Sequence, residues 1–132
     1  MLTLELKTAI FPTEPEGDLE YSNGHPGSAF CLWLKERLAD QGIESDEPIQ
    51  EDYGWGFWLQ RSGEPIWICV SYAEEQTWFL SCNHEIPFLF LKPWQWGRKK
   101  VGKVEEKTLF DLLKSALESN SEIAILGESE KS

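Results

Sequence analysis

The chain has 132 residues, 41% hydrophobic content, 27% charged content and a formal net charge of −11. A length of this order folds as one domain, 1–132, and buries about two-thirds of its unfolded surface, so no disulfide or metal staple is required. Cys31, Cys69 and Cys82 form no C-x-x-C pair, which argues against a disulfide framework and for reduced thiols in a cytoplasmic protein. The opening MLTLELKTAI lacks the basic and long apolar regions of a signal peptide. No stretch approaches the roughly 20 apolar residues of a membrane span, so no membrane partner is expected.

Leu2, Leu4 and Leu6 alternate with polar residues and predict a half-buried strand. Prolines and glycines then break the chain over an acidic loop, 12–26, that carries Glu14, Glu16, Asp18 and Glu20. Phe30, Leu34 and Leu38 recur at i, i+4 and predict a helix from about Gly27 to Gln41, stopped at Gly42. A second acidic, Pro-containing loop covers 44–50. In EDYGWGFWLQ, Glu51 to Gln60, the residues Tyr53, Trp55, Phe57 and Leu59 alternate with Gly54, Gly56, Trp58 and Gln60. This is a strand whose Tyr53, Trp55 and Phe57 are expected to build the core.

A turn at 61–64 leads into a strand with Ile66, Ile68, Val70 and Tyr72 on one face. A turn at 73–76 leads into a third strand carrying Trp78, Leu80 and Cys82, completing an antiparallel meander. Phe88 to Leu91, bracketed by Pro87 and Pro93, is a candidate short strand. Residues 94–103 read as irregular and basic. Thr108 with Asp111 resembles a capping box, and Leu109, Leu112, Leu113, Ala116 and Leu117 form an apolar helical stripe. Ile123 to Leu126 is a candidate last strand, followed by a polar, flexible tail, 127–132. The predicted fold is α+β: a single antiparallel sheet, made of a three-stranded central meander, an N-terminal strand and a short C-terminal strand. Its two helices pack on one face.

The run Glu51-Asp52-Tyr53-Gly54-Trp55 follows an L-x-x-x-L helix and an acidic loop and precedes the meander. It resembles the E-D-[WY]-G-W signature of a family of short, uncharacterised bacterial α+β proteins. The resemblance covers roughly Ala29 to Tyr72. It implies a fold and a bacterial or phage origin, and it carries no activity over.

Charge and aromatic content are the features that bear on function. Residues 1–85 hold sixteen acids against four bases, 86–103 hold five bases and no acid, and 104–132 hold seven acids against three bases. Such an excess repels phosphates over most of the surface and steers a basic protein inward. Glu44, Asp46, Glu47, Glu51 and Asp52 place five carboxylates within nine residues. With Trp58, whose face also carries Gly54 and Gly56, they form the candidate partner-binding set. Plain solubility is the commoner meaning of an acidic surface, and core packing the commoner meaning of an aromatic strand. If one sheet face lies open, however, some of the seven Trp are exposed and mark an interaction site.

Trp94 and Trp96 with Arg98, Lys99 and Lys100 combine rings and cations in the manner of single-strand binders. One short cluster on so acidic a chain is a weak signal, so nucleic acid is not expected as a partner. Pairing with acidic neighbours such as Glu105, Glu106 or the first acidic loop is the simpler role. Cys82 and His84 share a strand face as a nucleophile–base pair would, but Asn83 and Glu85 point the other way. As metal ligands they would need a third group such as Cys69 or His25. Glu51 and Asp52 are adjacent and so face opposite sides of a strand, which does not suit paired acid–base work. No phosphate-binding, dinucleotide, nucleophile-elbow or zinc motif occurs, so no cofactor, metal or catalytic residue is expected. The reading is a non-enzymatic acidic binding protein, of immunity or inhibitor type, that neutralises a basic effector or nuclease. The alternative is a small-ligand or carbohydrate-binding module using exposed Trp.

Overall fold

A computed structural model describes residues 1–13, 25–85 and 96–131, with Trp96 described in backbone only. Glu14, Glu16, Asp18 and Glu20, the candidate strand at 88–91, Trp94 and the ring of Trp96 lie outside the described residues. The elements run β1 (Leu2–Thr8), α1 (Ser28–Ala39), β2 (Ile49–Glu51), β3 (Gly54–Arg61), β4 (Glu64–Tyr72), β5 (Thr77–His84), α2 (Trp96–Glu118) and β6 (Ile123–Glu130). The six strands form one antiparallel sheet in the order β2-β3-β4-β5-β1-β6. The α+β class and the central meander β3-β4-β5 thus stand.

The sheet is larger than the sequence suggests, and three elements differ. First, β2 pairs Ile49 with Gly56 and Glu51 with Gly54, so Asp52-Tyr53 is the tip of a tight hairpin, not the entry of a strand. Second, β6 runs to Glu130 beside β1, so residues 127–130 are strand in place of a flexible tail. Third, α2 begins at Trp96, and the basic segment read as irregular forms its first turns. Its buried positions there are Gly102 and Glu106, so no apolar stripe announces the helix before Leu109.

Strand alternation sorts the residues between two faces. Leu2, Leu4 and Leu6 of β1, Phe57 and Leu59 of β3, Ile66, Ile68 and Val70 of β4, and Trp78, Leu80 and Cys82 of β5 join one buried cluster. Phe30, Cys31, Leu34 and Leu38 of α1 and Leu109, Phe110, Leu113 and Leu117 of α2 complete it, which puts both helices on this face. The rings of Phe11 and Phe30 stack at 4.1 Å, and both meet Trp78 edge-on. Trp55 packs against the cluster and donates its Nε1–H to the His25 carbonyl at 2.9 Å. Tyr53 departs from expectation: it stands at the hairpin tip, 47% exposed, and lines the opposite face.

Candidate functional site

The face away from the helices carries the other half of each strand. Read across β3, β4 and β5, its rows are Trp58–Trp67–Asn83 and Gly56–Cys69–Ser81, with Ser71 opposite Phe79 beyond them. Large rings therefore stand at the margins, while Cys69, Ser71 and Ser81 leave a low floor. The result is an open concavity of about 640 Å³ lined by Tyr53, Trp58, Trp67 and Phe79, with the carboxylates of Glu51 and Glu85 also among its walls.

The rings hold one another in place. Trp58 and Trp67 have centroids 4.9 Å apart with planes inclined at 46°. Trp67 donates its Nε1–H to the Tyr53 hydroxyl at 3.1 Å, which ties the hairpin tip to the middle strand. Trp67 also reaches across β3, and a Cβ at Gly56 would lie 2.4 Å from its ring. The glycine thus admits a ring of the protein itself and is not left bare for a partner. Trp67 is buried yet lies outside the core cluster, so its burial comes from this face. Burial pushes both the Cys69 thiol and the Tyr53 phenol above their ordinary values, which leaves both neutral near pH 7.

Of the residues singled out from the sequence, Glu51 and Trp58 meet in this concavity. Glu44 and Asp46 line a separate groove of about 510 Å³ with Gln60 and Arg61. The two are linked through the backbone, since Asp46 donates its N–H to the Trp58 carbonyl at 2.8 Å. Glu47 is drawn to the helix side by Lys35, 3.3 Å away, and Asp52 is exposed at the hairpin tip. The five carboxylates are therefore not one patch. Tyr53, Trp67, Phe79, Cys69, Ser71, Ser81, Asn83 and Glu85 also line the concavity and lie outside the partner-binding set expected from the sequence. Their common face follows from strand register, and small residues at its centre flanked by rings were the available signal.

The basic-aromatic loop is replaced by a buried polar junction at one end of the helix-covered face. Arg98 grips Glu64 with three hydrogen bonds, from Nε to Oε1 at 2.8 Å and to Oε2 at 3.2 Å, and from Nη2 to Oε2 at 2.9 Å. The Glu64 side chain is 3% exposed, and Arg98 holds its carboxyl below the ordinary value, chiefly by hydrogen bonding. The His84 imidazole, 4% exposed, rests on Gly102 with Nε2 3.7 Å from Glu64, and the His84 N–H donates to Glu106 at 2.8 Å. Among the described residues, Glu105 pairs with Arg61 at 3.1 Å and Glu106 with the His84 N–H and the Met1 ammonium, in place of the pairing with the basic segment expected from the sequence. Lys99 and Lys100 are exposed. The junction docks α2 on the sheet, and its charged hydrogen bonds offset the cost of burying two carboxylates.

Cys82 shares the His84 face, as expected, but its thiol is fully buried in the core and burial raises it strongly, so a thiolate is disfavoured. Cys69 lies on the opposite face and cannot join them. No group of three candidate metal ligands occurs among the described residues, and no described helix is long and apolar enough to cross a membrane.

Fold and site define a single-sheet α+β protein with a helix-covered face and an aromatic, acid-flanked opposite face. No protein-family model matches the chain, no curated protein matches it, and no solved structure matches it.

Proposed function

We propose that this protein is a non-enzymatic recognition module that binds a basic protein, with neutralisation of a basic effector or nuclease as its role. The observation that carries the reading is the lining of the open concavity: four aromatic rings with Glu51 and Glu85, and with Met1, whose ammonium is paired with Glu106, as the one cationic residue in that lining. Tyr53 is exposed and Trp58 and Phe79 are half-buried, and aromatic surface of this kind supplies the desolvated contact that dominates protein interfaces. The flanking carboxylates and the net charge of −11 favour a cationic partner and speed its approach.

The test is capture of basic proteins from a bacterial lysate, identification of the captured chain, and titration of that purified chain at about 50 and 500 mM salt, where the screening length differs severalfold. Expected is binding that weakens with salt and is reduced by Glu51→Lys and by Trp58→Ala. Glu47→Lys, on the helix side, should matter less. Binding indifferent to both open-face variants would overturn the reading.

A second reading rests on a separate observation. Asn83, Ser71 and Ser81 offer hydrogen-bonding groups beside the Trp58–Trp67 pair, a combination that suits a neutral carbohydrate. Saturable binding of an uncharged oligosaccharide, lost in Trp58→Ala and insensitive to salt, would favour it over a basic protein.

A further inference from the structure

We infer that the outer edge of β6 takes up an extended basic segment of a partner as an added strand, paired through the main chain of Glu128 and Glu130. The partner's positive charge rests on the reading above, but the site is the sheet edge and not the concavity.

The two edges of the sheet differ. β2 is three residues long and follows Pro48, and beyond it the Trp58 carbonyl of β3 is already taken by the Asp46 N–H. β6 is eight residues long, ends the strand order and is exposed over 126–131. The ladder decides which of its backbone groups face outward. Met1 and Lys131 exchange both main-chain bonds, at 2.7 and 2.8 Å. Hydrogen-bonded pairs alternate along an antiparallel ladder, so Ser129 and Gly127, opposite Thr3 and Glu5, face β1. The N–H and C=O of Glu128 and Glu130 therefore point away from the sheet, and no described residue bonds to them. Such a row is a template for another strand, with main-chain hydrogen bonds supplying the affinity. The register shift opposite Glu5 and Leu6 breaks the ladder near Leu126, so the straight stretch on offer is 127–131.

Charge selects the occupant. A second copy laid antiparallel on this stretch sets Glu128 and Glu130 against the same residues of the first, and the net charge of −11 adds to the repulsion. A strand with Lys or Arg at alternate positions instead places a cation beside each carboxylate. Lys114 holds Glu128 through Oε2 at 2.7 Å, an exposed pair that leaves Oε1 to accept another donor. Glu130 has no ion pair among the described residues. Main-chain pairing supplies the affinity without displacing either contact, and the two carboxylates set the sign of the strand that is admitted.

The experiment uses the full chain and three end-capped peptides. They are Lys-Val-Lys-Val-Lys, its acidic counterpart Glu-Val-Glu-Val-Glu, and the basic peptide N-methylated at its lysine amides, which keeps the charge and removes the donors. The readout is the main-chain amide resonances of β6 and their exchange with solvent. Without peptide, the Glu128 and Glu130 amides should exchange fast and that of Ser129, bonded to β1, slowly. The basic peptide should shift the Glu128 and Glu130 amides saturably, with a Kd of about 1 mM at low salt, and slow their exchange. The acidic and N-methylated peptides should bind at least about tenfold more weakly. Glu130→Pro removes an outward N–H, where an edge strand tolerates proline, and should lose the peptide with little change in thermal midpoint. Glu130→Gln keeps the N–H and should weaken binding by only about threefold. If the proline variant fails to fold, the N-methylated peptide on the parent chain still decides. Equal binding of that peptide, shifts confined to the indoles of the concavity, or no saturable response by about 20 mM would overturn the inference. So would slow exchange of both amides without peptide, whether at all protein concentrations or only at high ones, the mark of self-pairing. A captured basic protein that binds the Glu130→Pro chain as well as the parent would overturn the edge and leave the proposed function standing. Peptide pairing on β6 with no basic protein captured would support the edge and overturn that function.

Discussion

Trp67 occupies the space that a side chain at Gly56 would need: a Cβ there would lie 2.4 Å from Cζ2 of the indole and 2.8 Å from the Ile68 carbonyl oxygen. The first contact could be relieved by moving the ring, but the second is with backbone across the β3–β4 ladder. Gly56→Ala is therefore expected to destabilise the protein by about 1–3 kcal/mol, the usual cost of overpacking a filled site. It should also displace Trp67 from the wall of the concavity. Urea unfolding gives the first quantity, and near-ultraviolet circular dichroism reports the second. An alanine variant as stable as the parent, with an unchanged aromatic spectrum, would show that the ring is not seated there.

The Trp67–Tyr53 hydrogen bond is a separate lever on the same wall. Tyr53→Phe removes the acceptor at 3.1 Å and keeps the ring. Because Tyr53 is 47% exposed, water can reach the vacated position, and the loss should fall at the low end of the usual range, about 0.5 kcal/mol. The clearer outcome is dynamic. The Trp67 indole N–H should exchange with solvent faster in the variant, while that of Trp55, bonded to the His25 carbonyl on the other face, should not change.

These relationships separate what the sequence discloses from what it hides. The meander was legible because Phe57, Ile66, Ile68, Val70, Leu80 and Cys82 recur at period two between turn-forming runs. Trp58 was legible as an open-face residue by the same alternation. Tyr53 is not legible in this way, because extending period two one residue back from Gly54 enters a hairpin tip, where the face is set by the turn. The early turns of α2 stayed hidden for a different reason. Their buried positions are filled by Gly102 and Glu106, which meet His84, so helical periodicity of apolar residues fails just where the helix docks on polar groups. The concavity itself depends on register between strands, which no single stretch records.

Gly102 and Gly97 sit in the same helix, and their surroundings differ. A Cβ at Gly102 would fall about 2.0 Å from the His84 imidazole, whereas at Gly97 none of the described residues lies within 4 Å. Alanine is the better helix former by up to about 1 kcal/mol in a helix interior, and by less near an end. Gly97→Ala should thus stabilise by a few tenths of a kcal/mol, while Gly102→Ala should destabilise by about 1–3 kcal/mol through the clash. Thermal midpoints moving in opposite directions are the expected result, and stabilisation by both substitutions would contradict the docking of α2 on His84.

The three thiols differ in access. Cys31 and Cys82 are buried in the core and burial raises both, while Cys69 is only part-buried on the open face. A thiol reagent at pH 8 should label Cys69 first and slowly, since its thiol is also raised. Cys31 and Cys82 should react only at the rate of opening or unfolding. Mass spectrometry after timed labelling distinguishes the sites, and early labelling of Cys82 would reopen a chemical role for the Cys82–His84 pair.

Glu64 ties stability to pH. Its carboxyl is held below the ordinary value first by the hydrogen bonds from Arg98, with burial opposing, and then by the charge of Arg98 and the nearby His84. A carboxyl of lowered pKa in the folded state binds its proton more weakly there than in the unfolded chain, where the value is about 4.3. Its contribution is therefore fully present above the unfolded value and is lost as pH falls through the folded one. Arg98→Ala removes the hydrogen bonds that lower it and leaves a buried carboxylate with His84 3.7 Å away. The variant should be less stable than the parent at pH 7, and the gap should narrow on acidification, as protonation makes the parent's own Arg98–Glu64 contact dispensable. Denaturant midpoints of both proteins from pH 7 to about 3 measure this directly. A gap that stays constant across that range would mean that Arg98 supports α2 by packing alone and that Glu64 is not the group it serves.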